Sequence, residues 1–363
     1  MINNRNFQRE TALRPPVQRT CIYRAEEGAA FSHHPYLCRF RGRFYAMWSG
    51  GAVHEDDVGQ RAVIAWSDDF LHWSKPLPLT ATNDPSAVDT ACGMIVWGDT
   101  LYLYVGSYRY DEAHIGGDGH RVFADSGHTG THLYVLTSKD GRTFSPARRT
   151  GLNMVPNMPP RILSDGIAVI CGNFLMPVNR NFPDGTWELH GLSTQCDTDD
   201  SETFYAVSRS IGLDTAVCEC DILERENGYT ALFRSQSKEH SGVLYASESA
   251  DLVDWSLPYA TEFTNDTSKF HVGRLSDGRH YWLGNPLVGN GRDPLVLSLS
   301  EDGENFTRHI ILGEGKRPMR CRGFAKFGAY GYPYSFEEDG WFYAVWSVNK
   351  EDIEACRIGT AQL

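Results

Sequence analysis

Short β-rich runs of four to seven residues follow one another along most of the chain, separated by glycine, proline, asparagine and aspartate. Such a pattern predicts strands joined by tight turns. Four of the runs end in one box, Ser-x-Asp-x-x-x-Trp/Phe: Ser67, Asp69, Trp73; Ser138, Asp140, Phe144; Ser249, Asp251, Trp255; and Ser300, Asp302, Phe306. The gap between the second and third boxes is the longest, and a degenerate copy is expected inside it at residues 190–208. Each repeat parses as four strands, as in YLCRF, RFYAMWS, RAVIAWS and a fourth after LHWSKP. Six such units cover residues 34–363. Four-stranded sheets stacked around an axis protect their own edges, so the expected fold is all-β, a β-propeller of six blades of four antiparallel strands, or seven if the long insert or the N-terminal arm adds a sheet. Residues 1–363 are then one propeller domain, with an arm at 1–19 and a short strand at 20–25 that pairs with the last blade and closes the ring. In the boxes, Ser and Asp would satisfy backbone donors while the aromatic ring packs between blades, which makes them staples of the fold.

Composition narrows the class. The 363 residues are 41% hydrophobic and 12% aromatic, with 35 Gly and 17 Pro, which excludes disorder and suits a turn-rich β protein. No run reaches the ~18–20 apolar residues of a membrane span, and the first residues lack the apolar stretch of a secretory signal. A cytoplasmic protein is expected. Nine scattered cysteines without a C-x-x-C pair suit reduced thiols. Cys218 and Cys220, two apart on a strand, should share one face as core or pocket wall. A net charge of −12 without a basic run argues against nucleic acid and anionic membranes as partners. Phosphate-loop, dinucleotide and Gly-x-Ser-x-Gly signatures are absent.

Topology places all boxes on one face and gathers a different set of loops on the other. That second face carries FSHHP (31–35), GGAVHEDDVGQR (50–61), the long segment 107–132, NRNFPDG (179–185), CECD (218–221), FRSQSKEH (233–240), KFHVGR, GNGRDP and SVNKED. Histidines and arginines concentrate there, so this face is the expected site. His33 and His34 precede the first strand of the first unit and are the candidate proton-transfer groups, Tyr332 is the third catalytic candidate, and Gln60 and Arg61 would orient a sugar. Arg234, Arg292 and Arg322 come from different blades and are expected to fork a carboxylate, with Arg61, Tyr332, Lys350, Asp221 and His120 as further contacts. No cofactor is expected. His114, His120, His128 and His132 with Asp118 are the set from which a structural metal site would have to come, although their spacing matches no strong metal motif.

The boxes resemble those of the sialidase superfamily of propellers. More closely, FSHHPYLCRFRGRFYAMWSGG, EDDVGQR, NGRDPLVLSLSEDG and GYPYSFEEDGWFYAVWSVNKEDIE look like the sialidase-like group of α-L-rhamnosidases and rhamnose-glucuronate or ulvan lyases. The resemblance implies an exo-acting enzyme at a terminal L-rhamnosyl-α-1,4-glucuronate link, with one histidine of the pair before the first strand as the catalytic group. That group maps to His33 or His34. A sialidase proper is disfavoured: PYLCRF stands where its Arg-Ile-Pro would be, and no Tyr/Glu nucleophile pair is assignable from the sequence. The expected function is a histidine-using glycoside hydrolase acting on an oligosaccharide that contains an acidic sugar. The alternatives are a lyase acting by β-elimination, a sialidase, and a glycan-binding propeller without catalysis.

Overall fold

The computed structural model describes residues 1–122, 128–194, 201–213, 215–236 and 242–363. Six antiparallel sheets follow one another along the chain. The first is Phe31–Phe40, Arg43–Gly51, Arg61–Ser67 and Leu77–Leu79. The second is Val88–Trp97, Thr100–Tyr110, His128–Ser138 and Arg148–Arg149. The third has three short strands, Arg161–Ile162, Ala168–Val169 and Val178–Asn179, where four were expected. The fourth is Val217–Arg225, Gly228–Ser235, Val243–Ser249 and Tyr259–Thr264, and the fifth His271–Arg274, His280–Gly284, Leu295–Ser300 and Arg308–Gly313. The sixth is Gly331–Glu338, Trp341–Val348 and Asp352–Gly359. Its outer strand is Gln18–Tyr23, in register Gln18↔Arg357 and Cys21↔Glu354, so the early strand does close the last sheet.

The sheets form a ring because each buries a face against the next. Tyr36, Met47 and Ile64 of the first pack with Ala91, Leu103 and Leu136 of the second. Cys92 and Leu133 of the second meet Ile170 and Leu175 of the third segment. The series continues through Val178 with Val217 and Phe233, Leu232 with Val272 and Trp282, and Leu297 with Phe342 and Trp346. It returns to its start where Ile353 and Ala355 of the sixth sheet pack on Leu37 and Trp48 of the first. Six interfaces in a circle make a β-propeller, with its apolar burial distributed between blades.

The boxes are staples, as their chemistry predicts. In each, the Ser hydroxyl donates to the Asp carboxylate, and one Asp oxygen accepts two backbone N–H groups, at 2.9 Å from Leu71 and His72 for Asp69 and at 2.8 and 2.7 Å from Glu304 and Asn305 for Asp302. The next residue lies in the left-handed region: Phe70, Gly141, Leu252 and Gly303 have φ of 73°, 71°, 67° and 71°. Asp302→Ala is expected to lower the Tm and leave the pocket at the opposite face unchanged; a melt and a ligand titration on one sample check both.

Three local expectations are corrected. Of the degenerate box at 190–208, residues 195–200 lie outside the described residues, and the part that follows belongs to a helix, Ser201–Ser210, instead of a box turn. The segment 107–132 is not one long loop, since Ser107–Tyr110 and His128–His132 extend the paired strands of the second sheet. The NRNFPDG loop lies on the box face: Phe182 packs on Trp97 and Tyr102, which flank the hairpin at that end of the second sheet. No helix among the described residues is long and apolar enough to cross a membrane.

Candidate active site at the mouth of the propeller

Opposite the box face, the first strands of the sheets converge on a cavity of about 310 Å³. Four of those strands carry a β-bulge at the same depth, between His33 and Tyr36, Ala91 and Met94, Cys218 and Cys220, and Gly331 and Tyr334. A bulge adds a residue without a ladder partner and re-aims its side chain. The added residues are His34, Gly93, Glu219 and Tyr332, with φ of 52°, 98°, 37° and 55°. His34, Glu219 and Tyr332 all line the cavity. Asp56, Arg292 and Lys350, also on its wall, have φ of 53°, 60° and 55°. A non-glycine residue held left-handed costs about 1–3 kcal/mol. With Ala325, at φ of 54°, seven such residues line the cavity and mark a constellation that the surrounding fold imposes.

The polar groups interlock. Arg234 Nη1 touches Glu219 and also donates to the Tyr332 hydroxyl at 3.0 Å, so a single guanidinium nitrogen holds both. Asn173 Oδ1 accepts the Glu219 N–H at 2.9 Å. Lys350 pairs with Glu55. Lys269 donates to Asn157 O at 2.8 Å and to the Tyr36 hydroxyl at 3.2 Å, and lies 5.5 Å from the centre of the Tyr332 ring. Arg292 is 2% exposed and donates from Nη2 to Thr267 O, while its Nε and Nη1 have no hydrogen-bond partner in the structure.

Burial and the cations set the protonation states. Burial, then Lys269, Lys350 and Arg292, holds His34 well below its ordinary value, so its ring is neutral at pH 7. Burial and Glu219 push the Tyr332 hydroxyl well above its own, which keeps its proton in place. Burial also raises Glu55 against the pull of Lys350 and brings the Lys269 ammonium down to about 8.

His33 and His271 are buried and His34 is partly buried on the cavity wall, and all three are held low, chiefly by loss of solvation. The folded state then binds fewer protons than the unfolded chain as pH drops below about 6.5, so each ring removes up to ~1.4 kcal/mol of stability per pH unit. The Tm is expected to fall between pH 7 and 5, and a flat profile would refute this.

The structure separates the two histidines. His34 is on the cavity wall, with Nδ1 engaged by Ser49 Oγ at 3.0 Å, which leaves Nε2 for a ligand. His33 is fully buried behind it, with Nδ1 2.7 Å from Ser347 Oγ and Nε2 3.8 Å from Glu55. Arg234, Arg292, Tyr332 and Lys350 line the cavity as expected.

Five residues expected to contact a ligand lie elsewhere. Arg61 is spent on the carbonyls of Gln60, Ala87, Asp84 and Pro85. Arg322 is exposed and off the cavity wall. Asp221 pairs with Arg161 and accepts the Val272 N–H. Gln60 sits behind the wall, accepting the Asp56 N–H and donating to Thr90 Oγ1, both at 3.0 Å. His120 is outside the cavity on Asp57. Of the four arginines expected to fork a carboxylate, Arg234 and Arg292 reach the cavity wall, and Arg61 and Arg322 do not.

The metal set built on the histidine-rich segment does not assemble among the described residues. His120 joins His54 and Asp57 instead, where its Nδ1 is 2.6 Å from Asp57 and His54 Nδ1 accepts the Phe324 N–H. Residues 123–127 of that segment and 237–240 of FRSQSKEH lie outside the described residues.

Sequence reasoning missed Glu219, Lys269 and Tyr36 as wall residues. The strand reading of Cys218 and Cys220 assumed plain alternation. The bulge between them breaks it, placing Cys218 on the cavity wall and Cys220 against Gly172 O at 3.2 Å. Tyr332 and Glu219 lie together on the cavity wall, both held by Arg234 Nη1.

Residues 42–344 match the family model described as a BNR repeat-like domain. The chain belongs to that family. No curated protein matches the chain at a significant level. Among solved structures, this BNR repeat-like propeller is similar to Trypanosoma rangeli sialidase, with 12% identity and a TM-score of 0.64 over 95% of its own length and 60% of the other's. The same sialidase in complex with sialic acid aligns at 13% identity and a TM-score of 0.63, over 97% and 60% of the two chains. A Dyadobacter fermentans protein of unknown function aligns at 14% identity and 0.64 over 95% and 99%. The fold is thus the sialidase-like propeller. The chain spans about three-fifths of the length of the trypanosomal sialidase.

Proposed function

We propose that this BNR repeat-like protein is a glycoside hydrolase that cleaves a terminal sugar from an oligosaccharide with an acidic sugar at the scissile link. The observation that carries the proposal is Arg292, a buried guanidinium with two unsatisfied nitrogens on the wall of the cavity. Leaving such a charge without an anion is costly, and a sugar carboxylate accepts two parallel N–H bonds. Lys269 is the second cation without an acidic partner, whereas Lys350 and Arg234 are matched by Glu55 and Glu219. The resemblance to the rhamnosidase group supports L-rhamnosyl-α-1,4-glucuronate as the first substrate to try.

Catalysis would use the interlocked groups. Glu219, held on the same Arg234 nitrogen as the Tyr332 hydroxyl, is placed to receive that proton as the phenol oxygen attacks the anomeric carbon, an exception to the paired-carboxylate rule known for tyrosine nucleophiles. Glu219 passes that proton on to the leaving glycosidic oxygen as the C–O bond breaks; water then displaces the phenolate from the anomeric carbon, giving a proton to the neutral His34 Nε2, which returns it to the Tyr332 oxygen. One observation favours elimination as a second reading: both Glu55 and Glu219 are tied to cations, while a neutral imidazole and a protonated phenol stand free to take the C5 proton of a uronate and to protonate its leaving group.

Incubation with the rhamnosyl-glucuronate oligosaccharide separates the two. Mass spectrometry showing one added water and no new ultraviolet absorbance is the hydrolase result. An absorbing unsaturated uronate is the lyase result. No product from this substrate or from a sialoside overturns the assignment.

A further inference from the structure

We infer that Phe327 is the stacking platform for the second sugar ring, the one across the scissile bond from the ring held in the cavity; this rests on the functional reading above. Among the described residues, thirteen large apolar side chains are exposed, and Phe327 is the one that also lines the cavity. It is 49% exposed, so about half of its surface is open to a partner at the cavity.

The ring is held where it stands. The Arg292 guanidinium lies 4.5 Å from its centre and the Lys350 ammonium 5.1 Å, both of them buried cations of the cavity wall. The backbone beside it is pinned on two sides: Asn349 donates to Gly328 O and Ala329 donates to Gly291 O, each at 2.9 Å. Gly328 has φ of 97°, and a Cβ there would lie 2.5 Å from Arg292 Cδ, so glycine is what lets the arginine approach the ring. An aromatic fixed at a cavity mouth, braced by Lys350 and by Arg292, the cation proposed to bind the sugar carboxylate, offers its remaining surface to whatever projects from that cavity. The apolar C–H face of a pyranose matches it.

The consequence is a specificity that depends on ligand length. Binding of glucuronate alone and of the rhamnosyl-glucuronate disaccharide should be measured by calorimetry for the native protein, Phe327→Ala and Phe327→Tyr, with saturation-transfer NMR to locate the contacted protons. Phe327→Ala is expected to weaken the disaccharide roughly three- to tenfold, by the loss of one aromatic stacking contact, and to leave glucuronate unchanged. Phe327→Tyr should restore the difference. Equal weakening of both ligands, or no change in either, overturns the platform while leaving the functional reading intact. If neither ligand binds the native protein, the functional reading fails and the platform with it. Because the side chain is half exposed, unchanged melting of Phe327→Ala separates a lost contact from a lost fold.

Discussion

Arg292→Met is expected to abolish capture of an acidic sugar while leaving the fold as stable as before, or more so. Losing one member of a buried, charge-assisted contact costs about 2–5 kcal/mol, which is roughly 30- to 4,000-fold in kcat/KM. Stability should move the other way. Arg292 is fully buried, two of its nitrogens lack partners, and burial already pulls its pKa down, so the empty protein carries a desolvated charge with little return. Methionine fills similar space without that charge, and exchanges of this kind are often neutral or stabilising. The losses on the other side are the bond from Nη2 to Thr267 O, worth about 1 kcal/mol, and the guanidinium's contacts with the Phe327 and Tyr332 rings, each worth about 0.5–2 kcal/mol. Opposite signs in two assays are what distinguish a ligand-binding arginine from a structural one. If kcat/KM and the Tm fall together, Arg292 is holding the fold and the carboxylate assignment loses its main support.

The ring of sheets was legible because its determinants are local. Alternation gives strands, and the Ser-x-Asp boxes repeat wherever two strands must turn, so four of the six sheets announce themselves. The third sheet did not, since its strands are two residues long and its box position is taken by the Phe182 loop packed on Trp97. The site was legible only where a residue had an unusual neighbourhood in sequence, as His34 does before Pro35.

Where placement depends on a bulge, sequence reading fails for a definite reason. Glu219 falls between two buried cysteines and reads as the outward position of a strand, and a single inserted residue turns it into the cavity. Lys269 reads as a surface lysine and is 2% exposed, because its partners Tyr36 and Asn157 come from sheets far away in the chain. Arg61 and Arg322 show the converse. Their loops do reach the right face, but one side chain is satisfied by four local carbonyls and the other points to solvent.

His34→Asn is expected to lower kcat about 10²- to 10⁴-fold, the usual share of a positioned proton-transfer group. Asparagine is the informative replacement because it tolerates the left-handed backbone at this position, where φ is 52°, so folding should be spared. The pH profile of the native enzyme provides the second half of the test. His34 works as the neutral ring, and burial with three neighbouring cations keeps it neutral to well below its ordinary range, so the acid limb should lie below pH 6.5. At the other end, Lys269 is charged below its pKa of about 8 and neutral above it. A carboxylate substrate therefore loses one of its two unmatched cations as pH rises through 8, and KM should climb there with kcat less affected. Lys269→Arg keeps the charge at all working pH values and should carry the alkaline limb upward. An alkaline limb that stays at pH 8 in Lys269→Arg would mean that another group titrates there, and an acid limb at 6.5 in the native enzyme would mean that the working histidine is not His34.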